Sequence, residues 1–221
     1  MAKMTKKRVL AIIIPFFAGV LAICIAISLT GGRFVGFLPG VAYGDELHIG
    51  SIPVDASNSE LVASAYKIVG YIKNGEYEKL GKISHPESGV LFSPYATISM
   101  QTARVFTPSQ IKSLARDKQS YVWGVYNGTG EPIDATPSAY LARFVFDRDF
   151  TRARLVGANY VVRSGNSLEN ISEVFPDMQY VDFHVPSSNA DDLSWTSLRL
   201  GFTEYRDCLM LSLILHSEHT I

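Results

Sequence analysis

Cysteine is nearly absent from this sequence. Cys24 lies inside an apolar run and Cys208 stands alone beyond it, so no disulfide joins parts of the exposed chain. Stability has to come from a hydrophobic core, and about 160 residues are enough to build one. Basic charge is scarce too: from Thr30 onward 16 Lys and Arg face 21 Asp and Glu, a formal difference of −5. Nucleic-acid binding needs a basic face to neutralise phosphates, so no nucleic-acid partner is expected. There is no Gly-x-Ser-x-Gly elbow, Walker loop or dinucleotide glycine fingerprint; Gly128-Thr129-Gly130 lacks the lysine and helix that would follow. The zinc-protease pattern His-Glu-x-x-His is missing as well. His216-Ser217-Glu218-His219 resembles a metal-binding tail only superficially, because residues three apart on a strand point to opposite faces. Neither a metal nor a cofactor is expected, and His184 and His216 read as hydrogen-bonded strand histidines.

What the chain does have is one long uncharged run, the 21 residues from Val9 to Leu29. At about 1.5 Å per residue a helix of that length spans the roughly 30 Å hydrocarbon core of a bilayer. Lys3, Lys6, Lys7 and Arg8 precede it with no acidic residue among them, which places the N-terminus in the cytoplasm. The run is too long for the apolar core of a cleaved signal peptide. Leu21-Ala22-Ile23-Cys24 is a degenerate lipobox, with Ile before the cysteine. An uncleaved single-pass anchor is therefore preferred over cleavage or lipidation. The expected organisation is a basic cytoplasmic tail (1–8), an anchor (9–29), a Gly- and Pro-punctuated tether (30–58) and an extracytoplasmic domain (59–221).

Within that domain the pattern predicts helices first. Asn58 or Ser59 caps a helix in which Leu61, Val62, Ala65, Ile68, Val69 and Ile72 recur on one face, and Asn74-Gly75 stops it. Glu76–Ile83 continues as a second helix. Gly89–Tyr95 and Thr97–Phe106 read as extended. Thr107-Pro108 and Thr136-Pro137 each pair a cap with a proline at the first helical turn, the former opening a helix to about Asp117. Tyr121–Tyr126 is β-rich before the turn Asn127-Gly128-Thr129-Gly130. Met178–Val185, Ser197–Tyr205 and Cys208–His216 form an antiparallel meander whose last hairpin turns at Arg206-Asp207. The class expected is α+β, helices packed on an antiparallel sheet, with the cone-like nuclear-transport-factor-2 (NTF2-like) or cystatin-like folds as analogies.

The candidate chemistry is sparse. Ser64-x-x-Lys67 and Ser109-x-x-Lys112 match a nucleophile motif whose partner elements are missing. Arg143, Arg148, Arg152, Arg154 and Arg163 interleave with Asp147 and Asp149, a pattern expected to give surface ion pairs, with an anion grip as the functional alternative. Trp123 to Pro132 packs two aromatics, three glycines and Glu131 into ten residues. Trp123 and Tyr126 face opposite sides of a regular strand unless Gly124 makes a bulge, so only one of them lines a cavity. The expected ligand site is Tyr126 with Tyr95, Glu131 and His184 around it.

Gly89–Tyr95, Trp123-Gly124 through Glu131-Pro132, Trp195–Leu200 and His216–Ile221 carry a family likeness. From about Tyr66 onward the chain resembles uncharacterised exported, lipoprotein-type proteins of Gram-positive bacteria. It departs from them at Arg206-Asp207-Cys208-Leu209, where they have a glycine turn and an aromatic strand, and at His219, where they have an aromatic. The resemblance implies export and carries no established activity, so no catalytic residue follows from it. The expected function is a membrane-anchored, non-catalytic module that binds an envelope ligand or protein partner. An envelope hydrolase using Glu131 and Asp134 is the alternative. A reporter enzyme fused after Ile221 is predicted to be active outside the cytoplasm and silent within it; activity inside would contradict the N-in anchor.

Overall fold

Ser57 opens the first long helix, and it does so because Glu60 stands three residues on. The Ser57 amide donates to Glu60 Oε2 at 2.8 Å and the Glu60 amide donates back to Ser57 Oγ at 3.4 Å. This reciprocal box moves the cap one residue before the two candidates read from the pattern. The computed structural model describes residues 52–187 and 194–219. The expected tail, anchor and most of the tether lie outside the described residues. Among the described residues no helix is long and apolar enough to cross a membrane.

In chain order the elements are β1 (Ile52–Pro53), α1 (Asn58–Lys73), α2 (Tyr77–Ile83), β2 (Val90–Ser93), β3 (Arg104–Phe106), α3 (Pro108–Ser113), β4 (Tyr121–Val125), β5 (Pro132–Ala135) and α4 (Pro137–Phe144). There follow β6 (Leu155–Ala158), a helical turn α5 (Ile171–Val174), β7 (Gln179–Val185), β8 (Thr196–Tyr205) and β9 (Cys208–Glu218). The six apolar residues predicted for the inner face of α1 are the ones it buries. Thr107 and Thr136 cap α3 and α4 with the proline at the first turn. The α3 helix stops at Ser113, short of the expected Asp117, where the Ser113 hydroxyl donates to Gln110 O at 3.0 Å and competes for the helical carbonyls.

Seven strands form the main sheet in the order β3-β2-β9-β8-β7-β6, with β1 beside the start of β9. Ile52 and Pro53, assigned to the tether, pair with Leu209 and Cys208, so the folded unit reaches back at least to residue 52. The meander β7-β8-β9 is antiparallel as expected, and Arg206 and Asp207 both adopt positive φ (50° and 62°) in its two-residue hairpin. The expectation of a wholly antiparallel sheet is corrected, because β2 runs parallel to β9, Leu91 opposite Leu213, making the sheet mixed. A strand reached through a hairpin must reverse, but β2 is reached through α2. The Ser84–Leu211 bridge and the His85 amide bond to Leu211 O (2.8 Å) lay the chain alongside β9 in its own direction.

Two further departures have local causes. Of Thr97–Phe106 only the last three residues are a strand, because the Asn170 side-chain amide takes both backbone groups of Ile98, at 2.8 and 3.0 Å. The β6 strand was not expected, having Gly157 and Ala158 in place of β-branched residues. Gly157 is required there: a Cβ would sit 2.3 Å from the Tyr160 carbonyl of the chain folding back over it.

Side chains alternate between the two faces of the sheet. Phe183, Leu198, Leu200, Phe202 and Ile214 join α1 and the other helices in the larger core. Leu91, Leu213 and Leu215 lie on the opposite face under Ile98, Ile171 and Met178. The cover on that second face is mostly the connection 159–178, a strap with a single helical turn. Because Ile68 sits in the larger core, Ile68→Asp places an unpaired charge there and is predicted to cost several kcal/mol in urea unfolding. An unchanged midpoint would mean that α1 is not core.

Candidate functional site

Trp123 is buried, and its ring is the centre of an aromatic cluster. The β4–β5 ribbon shifts register between Val122 and Val125, and Gly124, at φ 144°, is so close to Pro94 that a Cβ would stand 3.0 Å from its ring. With that irregularity Trp123 turns fully inward. Its ring stacks on Tyr140 at 3.9 Å and 8°, lies 5.0 Å from Phe106 at 26°, and meets Phe92 edge-on at 5.5 Å. Its Nε1–H donates to Ala135 O at 2.8 Å, so the buried indole leaves no polar group unpaired. The space between β2, β3, the ribbon and α4 is filled by rings at this point.

The four residues expected to line one ligand site are not gathered in one cavity. Tyr95 is only 6% exposed, packed edge-on to Phe144 at 5.8 Å. Burial, followed by the charge of Glu218, pushes its phenol pKa up. Tyr126 rests 6.4 Å from the same Phe144 but is 42% exposed. Glu131 joins Tyr126 through its backbone, its carbonyl accepting from the Tyr126 amide at 2.8 Å. Its side chain is exposed at the end of the turn and makes no ion pair among the described residues. Asp134, its proposed catalytic companion, is exposed on β5 and accepts a hydrogen bond from Ser120 Oγ.

His184 belongs elsewhere. Phe183 packs against Tyr66 of α1 at 4.9 Å, so the next residue on β7 points to the opposite, strap-covered face. There His184 is 2% exposed, with Nδ1 2.9 Å from Ser197 Oγ and its ring 5.5 Å from Trp195. Alternation along β7 is therefore what separates it from Tyr95 and Tyr126.

Sequence reasoning missed the cluster that does form around Phe144. Tyr95, Tyr126, Tyr140 and His216 all contact its ring, and the Arg143 guanidinium lies 4.5 Å from its centroid. Arg143 pairs with Glu218 at 2.7 Å. Behind this pair Thr196 Oγ1 is 2.9 Å from His216 Nε2, and Asp147 stands 3.5 Å from the same nitrogen. Burial works against the charge on Asp147, yet the hydrogen bond and charge of His216, with the Thr196 hydroxyl, hold its carboxyl below its ordinary range. His216 is thus the hydrogen-bonded strand histidine expected.

Four of the five interleaved arginines go to separate partners. Arg143 goes to Glu218, Arg148 to the Asp147 carbonyl, Arg152 to Asp149, and Arg163 over Trp195. A sixth, Arg199, is fully buried on the strap face. It donates to Glu169 at 2.6 Å and lies 3.5 Å from Asp182 Oδ2, which also accepts from the Val162 amide at 2.8 Å. Burial raises the Asp182 pKa against the opposing charge of Arg199. The polar alternation Ser197, Arg199 on β8 was the one available signal for this group, and it reads as a solvated face until the strap is seen to cover it.

A shallow groove of about 330 Å³ lies on the helical layer, lined by Ile72, Tyr77, Leu114, Leu141 and Phe146 among others. Lys73 and Ser138 give it a polar side, and no carboxylate or histidine among the described residues lines it. Among the described residues no group of three His, Cys, Asp or Glu side chains is placed to hold a metal ion.

Burial, then the positive charge of Arg163, lowers the His184 pKa from 6.5 to about 4. Between those values the unfolded chain binds more protons than the folded one, so this contribution to stability is complete above about pH 6.5 and falls away toward pH 4. Thermal unfolding followed from pH 7 to 4.5 is predicted to show a smaller loss of Tm in His184→Gln than in the parent. Parallel curves would mean that His184 stays protonatable in the fold. The chain matches no protein-family model, no curated protein and no solved structure.

Proposed function

We propose that the protein is a single-pass, membrane-anchored module whose domain outside the cytoplasm binds a protein partner without performing chemistry. The anchor is supported by the uncharged run 9–29 behind its four basic residues. The resemblance to exported proteins of Gram-positive bacteria agrees with that address. A cone-like fold of the nuclear-transport-factor-2 or cystatin type is part of the same proposal. It is supported by two helices ahead of a hairpin whose first strand runs parallel to the last strand of a meander.

The observation that carries the binding reading is Tyr126. A large aromatic stands 42% exposed on a ribbon whose other side is nailed down by Trp123. Val122 and Val125 are exposed on the same ribbon. Asn127 donates to Ser167 Oγ at 2.9 Å, which sets the exposed Leu168 of the strap beside the turn. Rigid aromatic side chains flanked by apolar ones are what interaction hot spots are made of. With His184 on the opposite face of the sheet, this surface replaces the pocket built from Tyr95, Tyr126, Glu131 and His184. The hydrolase alternative has less support, since Glu131 sits on an exposed turn and among the described residues no second carboxylate or histidine pairs with it.

A photo-crosslinking amino acid at Val125 in the intact membrane is predicted to give one discrete protein adduct, reduced at least fivefold by Tyr126→Asp. The same probe at Glu78, an exposed position on α2, is the control. Equal labelling from both positions would contradict the surface assigned.

A further inference from the structure

We infer that the Arg143 fork is a seat for a carboxylate of a partner protein, occupied by Glu218 while the partner is away. This rests on the reading of the Tyr126 face as an interaction surface and names the chemistry that face recognises. Arg143 donates from Nη2 to Glu218 Oε1 at 2.7 Å and from Nη1 to Oε2 at 3.2 Å. Two parallel bonds from one guanidinium suit any carboxylate, whether it comes from this chain or another.

The surroundings are built for such a group. Phe144 supplies an apolar floor beneath the guanidinium. The Tyr95 hydroxyl stands near the Glu218 carboxylate and accepts the Asn127 amide. Tyr126 and Val125 form an exposed apolar rim.

Glu218 is the resident occupant. The Arg143 side chain is 49% exposed and the Glu218 side chain 19%, so the guanidinium keeps one open side toward water. A partner carboxylate competes with Glu218 for the fork from that side, and an apolar residue beside that carboxylate gains the rim. The occupant inferred is therefore an acidic side chain next to an aromatic or aliphatic one, in a peptide segment.

The test titrates the full chain, carrying 3-fluorotyrosine, with acetyl-Leu-Glu-Phe-amide and follows the fluorine shift assigned to Tyr126. Glu218→Gln, which removes the competing charge and one of the two acceptors, is expected to bind the peptide about three to five times more tightly than the parent. Arg143→Gln is expected to lose saturable binding. Arg143→Lys, which keeps the charge without the fork, should bind several times more weakly than the parent. The Gln version of the peptide should give no saturable shift. The inference is overturned if Glu218→Gln binds no better, if the Gln peptide binds equally, or if oligogalacturonate saturates the shift and the peptide does not. The two readings separate at Val125: crosslinking that persists in Arg143→Gln removes only the carboxylate inference, whereas its absence from the parent chain removes the surface itself.

Discussion

The stack of Trp123 between Tyr140 and Phe106 is the contact on which the remaining architecture depends. It draws three separate pieces together: the ribbon, α4 and the edge strand β3. Each aromatic pair adds about 0.5–1.5 kcal/mol beyond the area it buries, and Phe92 and Tyr121 extend the cluster edge-on. Once the rings are seated, the core beneath the ribbon is packed with aromatics at this position. Tyr126, three residues further on, is held at the surface.

The second face of the sheet is organised by charge. Arg199 is buried between two carboxylates, and Glu169 belongs to the strap while Asp182 belongs to β7. A buried ion pair of this kind adds little net stability compared with apolar packing, but losing one partner strands the others. Its consequence is register: the strap is set down on the sheet at one place, with Asn170 on Ile98 and Val162 on Asp182 as further fixed points. Leu168 and Ser167 reach the Tyr126 turn because of that placement.

Local features were legible in the sequence and relations between distant segments were not. The buried face of α1 was readable to the residue because the periodicity of an amphipathic helix is a property of the helix alone. The Thr-Pro caps and the Arg206-Asp207 hairpin are equally local. The parallel seating of β2 on β9 depends on where α2 releases the chain, which no short window contains. Arg199 stands between two leucines on β8 and pairs with Glu169, 30 residues away on the strap, a relation no short window contains. His184 was grouped with Tyr126 because each strand was known but not which face of the sheet met the helices. Arg143 and Glu218, 75 residues apart in the chain, meet through the fold alone.

The central claim is that the interior is filled by the Trp123 cluster and that recognition takes place on the Tyr126 face. It is tested most directly by titrating the folded protein with indole and naphthalene while following the methyl resonances of Leu198, Leu200 and Ile214, which line the core beneath the helices. The account predicts no saturable shift in the native protein, and a saturable one in Trp123→Gly, where the vacated ring space is open to an apolar guest. Saturable shifts in the native chain, at concentrations that leave it folded, would mean that a cavity exists inside and would contradict it.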